Sequence, residues 1–437
     1  CNVRPRRTTI RNTIGYIRGA IEPDRYVLVG NHHDAWVYGA VDPSSATAVL
    51  LEMGRVFKAV MNSTHWRPRR TLVFCSWDAE EMGLVGSGEW VQEFLHLLQS
   101  RAVAYLNMDI AVNAVVRKYL NFRGMGVPLM FRTMYNATSR IPDPRPDAKK
   151  GASVYDNWFN TDPNNRTDKP GVDLIGAGSD FLFFLGYSGT PVTGMVYGND
   201  PNSYPLYHTV HETPFVYDNL TDPDYYYHRA TGQVWAEMAR QLADQTVIPF
   251  GVADYAGSIS SEYLKDLYAF VGKDLNISNL LVTAQVFKES ADLFQDRIDS
   301  ALKSKNNANE LRTINNILIN LERAFIEPSG ILPGRSADRH VIFSTSTSNS
   351  YAGVTFAGIR DALTNYRNSA KFGCSSMVNG RTKGHGLNKS QPNQICQILR
   401  QTHGLRSDID WLDVAKQQVS WATYALQTAI DMLKRKI

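Results

Sequence analysis

Two histidines and three carboxylates, His32, Asp42, Glu81, Asp109 and His208, each stand where a strand-like run gives way to a loop. The runs are YVLVGNHHDAW, VDPSS, TLVFCSWDAEEMG, AVAYLNMDIAV and SYPLYHTVHET. In open α/β sheets the carboxyl ends of strands are where ligands and metals collect. Imidazole nitrogen and carboxylate oxygen are the donors zinc takes in catalytic sites, with one position left for water. Two such ions about 3.5–4 Å apart need a shared carboxylate. Asp42, ten residues past His32 on the same loop, suits the bridge. His32 and Asp109 then complete one ion, Glu81 and His208 the other. Glu80, beside Glu81 on extended backbone, sends its side chain in a different direction and is the candidate general base for a hydrolytic water. Asp34 is expected to accept the free ring N–H of His32 and fix its tautomer. The Asp42–Pro43 bond is a place for a cis peptide. Tyr207, next to His208, is placed to donate to the oxyanion of an attacked carbonyl.

Taken singly, a histidine here is an ordinary solvated or hydrogen-bonded residue, and Glu80–Glu81 an ordinary exposed pair; His33 and His211 read that way. The inference rests on five ligand types arriving together at strand ends. A two-metal phosphoesterase would use the same ligand types but not this order of motifs.

The elements that must position these residues follow from the pattern. Residues 8–30 read as a hairpin turning at Glu22, Pro23 and Asp24. A helix follows from Ser44, capped by Ser44 or Ser45, with Val49, Leu50, Met53, Val56, Phe57 and Val60 at helical spacing. RRTLVFCSW and AVAYLNMD are buried strands, with GLVGSGEWVQEFLHLLQS a helix between them. Residues 140–175 read as a long polar excursion. GAGSDFLFFLGYSG is a loop entering a helix, and TDPDYYYHRATGQVWAEMARQLADQ a helix with a Thr/Asp cap. Strands alternating with helices predict an α/β fold, a mostly parallel sheet with helices on both faces. From about residue 246 the pattern is helical, so 1–245 is one domain and 246–437 an all-α second domain. Residues 368–408 are polar and read as an insertion.

The 437 residues suffice for two or three domains, and 43% apolar with 20% charged residues is an ordinary globular composition. A net charge of +4 with no basic tract predicts no nucleic-acid partner. No run is apolar enough to span a bilayer, and the chain opens at Cys1 without an initiator methionine, so an upstream portion is expected. Cys75 reads as a buried thiol; Cys374 and Cys396 flank a polar segment and are a candidate disulfide. Six N-x-S/T tripeptides, at Asn62, Asn136, Asn165, Asn219, Asn276 and Asn388, point to an extracellular or lumenal glycoprotein.

The stretches EPDRYVLVGNHHDAWVYGAVDPSS, WRPRRTLVFCSWDAEEMGLVGSGEW, AYLNMD, GAGSDF, SYPLYHTVHET, LERAFIEPSGILPGRSADRHVIF and SYAGVTFAGIRDAL closely resemble the glutamate carboxypeptidase II and N-acetylated alpha-linked acidic dipeptidase-like zinc peptidases, of the transferrin receptor superfamily. The resemblance covers nearly the whole chain apart from 368–408. It implies a membrane-anchored metallopeptidase with two Zn2+ per chain held by His32, Asp42, Glu81, Asp109 and His208, Asp42 bridging. It further implies Glu80 as general base, Tyr207 beside the scissile carbonyl, a peptide substrate, and a homodimer formed through the helical domain. The membrane anchor, the leading part of the peptidase domain and a protease-associated domain belong upstream of this chain. Substrate contacts carry over to Gly178, Ser179 and Tyr351. Glutamate-preferring members hold the substrate carboxylate with arginines after the G-S-G-N-D motif, that motif's asparagine, and a lysine before the tyrosine. Here the loop reads GTPVTGMVYG, Ser179 replaces the asparagine and Ser350 the lysine. A desolvated carboxylate needs such partners, so the preference is expected to be broader or more apolar. Glu89 matches one calcium-binding glutamate while Gln92 replaces the other. The alternative within the same superfamily is a receptor-type protein that keeps the fold without the chemistry.

Overall fold

The computed structural model describes residues 7–114, 120–162, 168–198, 204–304, 307–349, 351–371 and 409–435. Strands β1 (Thr13–Ile17), β2 (Glu22–His32), β3 (Arg70–Trp77), β4 (Ala102–Asn107), β5 (Val112–Asn113), β6 (Asn121–Gly126), β7 (Val172–Asp173) and β8 (Val192–Gly198) form one sheet. Its order is β1-β3-β2-β4-β8-β6-β7, with β5 against β8. The central pairs β3–β2, β2–β4 and β4–β8 are parallel; β1–β3 and β6–β8 are antiparallel. All six residues of β4 are buried, whichever way they point, because helices cover both faces. The helices of this region are α1 (Ser44–Thr64), α2 (Val85–Glu93), α3 (Leu95–Arg101), α4 (Phe131–Thr138), α5 (Val154–Thr161), α6 (Phe181–Gly186), the single turn α7 (Pro214–Val216), which lies off the sheet, and α8 (Tyr226–Asp244). Phe184 of α6 stacks on Tyr105 of β4 at 3.9 Å, and Trp235 of α8 donates to the Leu106 carbonyl at 3.2 Å.

Several expectations are corrected. β1 and β2 do not pair as a hairpin, because β3 lies between them, antiparallel to β1 (Thr13↔Ser76) and parallel to β2 (Val27↔Leu72). The crossing is pinned where Gly19 N–H meets Thr71 Oγ1 and Ala20 N–H meets the Pro68 carbonyl. An apolar strand such as β3 saturates two ladders by sitting between both neighbours, and no local turn signal can report that. Neither Ser44 nor Ser45 caps α1; Ser45 Oγ donates to the Val41 carbonyl and accepts from Ala111 N–H. At α8 the cap residue is Tyr225, while Asp222 reaches in to accept from His228 N–H at 2.8 Å. The single helix expected over 83–100 is two, α2 and α3, broken at Phe94. The polar excursion at 140–175 contains α5, opened by a Ser153/Asp156 capping box and anchored by buried Val154, Asn157 and Trp158.

Beyond residue 251 come α9 (Val252–Gly257), α10 (Leu264–Val271), α11 (Ser278–Lys303), α12 (Ala308–Leu321), α13 (Ala357–Lys371) and α14 (Trp411–Lys434). This region is helical but not all-α: β9 (Phe343–Thr345) and β10 (Gly353–Thr355) form a small antiparallel ladder. The buried apolar cluster runs without a break from Val27 to Leu433. Arg323 crosses between the two regions, donating to the carbonyls of Leu98 and Ala102. Of the segment 368–408 only the last turn of α13 is described; its remainder, with Cys374 and Cys396, lies outside the described residues. Cys75 is a buried free thiol, as expected. No helix among the described residues is long and apolar enough to cross a membrane.

Candidate metal centre

The chain steps from β2 to β3 on one side of β2, then returns to β4 on the other, so the carboxyl end of β2 is a topological switch point, where α/β sheets bind ligands. His32 is the last residue of β2 and is 1% exposed. Its Nδ1 lies 2.9 Å from the Asp34 carbonyl oxygen. A carbonyl only accepts, so Nδ1 carries the proton, and Nε2 is left facing Asp109 Oδ1 at 2.6 Å and Asp42 Oδ1 at 3.2 Å. On the other side of Asp42, Oδ2 is 2.9 Å from His208 Nε2, which is itself 3.2 Å from Glu81 Oε2. The outcome is two groups, His32–Asp42–Asp109 and Asp42–Glu81–His208, sharing Asp42, each with its donor atoms within 4.8 Å of one another. All five expected ligands are brought together, in the expected division.

Local backbone makes this possible. Ala79 and His208 adopt left-handed conformations, φ 58° and 57°, that non-glycine residues seldom hold without a structural reason. The turn at Ala79 aims the N–H groups of Glu80 and Glu81 at the Asp34 carboxylate, at 2.9 and 3.2 Å. Asp34 does more than expected: its carbonyl is the nearer acceptor for His32 Nδ1, at 2.9 Å against 3.6 Å for its carboxylate, and that carboxylate also fixes the two glutamates. The Asp42–Pro43 bond is cis.

Asp34, Asp42, Glu80, Glu81, Asp109, Asp180 and Glu212 crowd around two imidazoles. Burial, then the Asp109 charge, pushes Glu80 up to about 9. Burial and Asp42 push Glu81 up to about 7, and burial raises Asp180 to about 7 as well. Burial works against charge on His32, but Asp109 and the other acids outweigh it and raise its pKa well above the usual value. Asp42 Oδ1, buried, has no hydrogen bond despite its nearness to His32. Without a metal, protons on His32 and Glu80 offset this crowd of carboxylates; a cation seated between them would do the same. A nitrogen and oxygen donor set of this kind suits zinc. The residues fit a metal ion.

The other expected residues divide. Tyr207 stacks on His208 (3.7 Å between ring centroids), is 38% exposed and lies against Tyr351. Gly178 packs beneath Tyr351, where an added Cβ would come within 2.8 Å of the ring. Ser179 does not face the opening: it is 1% exposed, accepts from Asn107 Nδ2 at 2.8 Å and bonds Asp109, so it steadies a ligand rather than a substrate. Glu89 is exposed and belongs to neither ligand group found among the described residues. His33 and His211 are exposed, as expected. Sequence reasoning passed over Trp36, whose N–H donates to Glu81 Oε1 at 3.2 Å and whose ring lies 6.4 Å from that of His208. It also passed over Asp180, held by Ser87 Oγ at 2.5 Å, and Glu212, both fully buried. Acidic residues inside the quoted motifs were the available signal.

Residues 12–245 match the family model for peptidase family M28, and residues 275–434 that for a transferrin receptor-like dimerisation domain. The chain is 39% identical to a glutamate carboxypeptidase 2 homolog of Caenorhabditis briggsae, over 82% of this chain and 49% of that protein. It is 37% identical to aminopeptidase NAALADL1 of Mus musculus, over 81% and 48% respectively. It is 35% identical to the probable glutamate carboxypeptidase LAMP1 of Arabidopsis thaliana, over 82% and 49%. The chain spans about half the length of these relatives.

Proposed function

We propose that this chain, which belongs to peptidase family M28 and carries a transferrin receptor-like dimerisation domain, is the catalytic and dimerising part of a two-zinc exopeptidase acting on short peptides. The observation that carries the reading is the pair of ligand groups sharing Asp42. His32 and Asp109 would hold one ion, Glu81 and His208 the other, with Asp42 between. With zinc bound, such a site offers Lewis acidity toward a peptide carbonyl and lowers the pKa of water. Glu80 accepts the proton of the attacking water and returns it to the leaving amine. Its carboxylate lies near Asp109 and His32, and added positive charge opposes the burial and repulsion that push it toward its protonated form. Tyr207, set by its stacking on His208, donates to the oxyanion. Asp34 holds Glu80 and Glu81 in register.

Names among the relatives include both carboxypeptidase and aminopeptidase, and the proposal commits to exopeptidase action. The rim supports a preference for uncharged or apolar substrates over C-terminal glutamate. Trp36, Met82, Tyr207 and Tyr351 are all exposed there or next in sequence to a ligand. The segment that could have carried arginines is instead buried strand β8. A receptor-type role is opposed by the intact ligand set. Helices α11 and α14 lie within the match to the transferrin receptor-like dimerisation domain, which supports a homodimer. Asn62, Asn136, Asn219 and Asn276 are exposed, in keeping with an outward-facing glycoprotein; Asn165 and Asn388 lie outside the described residues.

The test is metal analysis and peptide hydrolysis on wild-type chain and Glu80→Gln. Near two zincs per chain in both, with hydrolysis lost in the variant, supports the proposal; full activity in the variant ends it.

A further inference from the structure

We propose that Glu212 is a positioning residue that clasps the Asp42 turn to the His208 turn and thereby sets the affinity of the Asp42–Glu81–His208 group for its ion. The inference rests on the zinc reading above and goes further by assigning that ion's hold to a residue outside its ligands.

Both ligand turns are short loops with little regular structure of their own, so something must fix them to each other. The Asp42 turn is closed by Ser44 N–H on the Gly39 carbonyl at 3.0 Å, with Gly39 in the left-handed region at φ 56°. An added Cβ at Gly39 would meet the Asp42 carbonyl oxygen at 2.6 Å, so the turn is already tight. The His208 turn is closed by Thr209 N–H on the Leu206 carbonyl at 3.0 Å and by Glu212 N–H on the Thr209 carbonyl at 3.2 Å. Glu212 is where the two turns join. Its carbonyl accepts from Ala40 N–H at 3.0 Å, and its carboxylate faces the Asp42 backbone N–H and the Tyr204 hydroxyl.

The state of that carboxylate is the telling feature. Glu212 is 0% exposed, and neither oxygen completes a hydrogen bond of ordinary geometry. A buried carboxylate left so poorly paired costs stability. Asp42, itself negative, lies close enough to worsen that cost, and His208 close enough to relieve it. Such a group makes sense where positive charge is to be held: it adds a second negative charge beside the Asp42–His208 contact.

The experiment uses the whole chain, stripped of metal and titrated with zinc against a chromophoric chelator. Wild type is compared with Glu212→Gln and Glu212→Asp, and the melting temperature of each metal-free protein is read by circular dichroism. The expectation for Glu212→Gln is one zinc held ~10–100-fold more weakly, the range for partners of metal ligands. The other zinc keeps wild-type affinity, and the metal-free melting temperature is not lowered. Glu212→Asp keeps the charge and is expected to lose less. Two zincs held with wild-type affinity in Glu212→Gln would overturn the proposal. So would a lower metal-free melting temperature with unchanged zinc affinity, which is the mark of a purely structural residue, or a greater loss in Glu212→Asp than in Glu212→Gln. Wild type that takes up no zinc sinks the metal reading itself, a result separate from any difference among the variants.

Discussion

Two histidines, His32 and His340, lie at the same depth in this molecule, each 1% exposed and each beside a buried carboxylate. They are opposites. In the helical region, Nδ1 of His340 accepts from the N–H groups of Ile342 and Phe343, at 3.2 and 3.1 Å. Its proton therefore sits on Nε2 and is given to Glu322 Oε1 at 2.9 Å, where Tyr255 also donates at 2.7 Å. Donors meet an acceptor at Glu322 Oε1, although Oε2 of that carboxylate, like Asp42 Oδ1, has no hydrogen bond. At His32 the backbone takes the other nitrogen's proton, so Nε2 meets two carboxylate oxygens that can only accept. Residue type and burial are the same; the ring nitrogen committed to the backbone decides whether the histidine closes a structural network or opens a metal site.

The comparison can be broken most sharply at Glu80. Glu80→Gln should cut peptide hydrolysis ~10²–10⁴-fold, the usual worth of a general base, while zinc content by metal analysis stays that of wild type. A chelator should act on the His32 side alone. Removing zinc held at about a thousand times its Kd withdraws about 4 kcal/mol of stability, seen as a fall in melting temperature that added zinc restores. The mirror variant is His340→Phe. It takes a donor from buried Glu322 and should cost about 1–3 kcal/mol in chemical denaturation, with zinc per folded chain unchanged; loss of zinc there would erase the distinction drawn between the two sites.

A third histidine, half-buried, sharpens the contrast with the smallest effect. Nε2–H of His228 donates to the Ser45 carbonyl at 2.6 Å, and burial holds its pKa below the usual value near 6.5. The unfolded chain therefore takes up this proton at higher pH than the folded one. The contribution is complete above about pH 6.5 and is lost as pH falls from there through the folded pKa. His228→Gln should flatten that part of the melting temperature profile between about pH 5 and 7, and an unchanged slope would remove His228 from the account.

The strands were legible because β3 and β4 are continuous apolar runs, and a chain buried on both faces leaves that mark. The ligands were legible because polar residues directly after such runs have few reasons to be there. Pairing order was not: the Glu22–Asp24 turn looks like a hairpin whether or not a third strand enters between its arms. Helix α5 was missed because two turns offer one buried face, Val154, Asn157 and Trp158, too short a pattern to stand out among Asp and Asn. Ser179 was misassigned because a motif position does not tell which way a side chain is turned, and here it points inward to Asn107 and Asp109. Glu212 sat unnoticed inside a quoted motif, since nothing in its neighbours foretells a carboxylate buried without full hydrogen bonds.

By itself, then, the order of residues determined which donors stand at strand ends and that a mostly parallel sheet would gather them, because burial on two faces and the ends of strands are written in runs of a few neighbouring residues. The tertiary structure alone decided that Nε2 and not Nδ1 of His32 faces Asp109 and Asp42, that Asp42 reaches both histidines, and that Asp34 serves the glutamates with its carboxylate. Those outcomes depend on single atoms from segments tens to hundreds of residues apart meeting within about 3 Å, the range of a hydrogen bond. No short stretch of sequence carries that alignment.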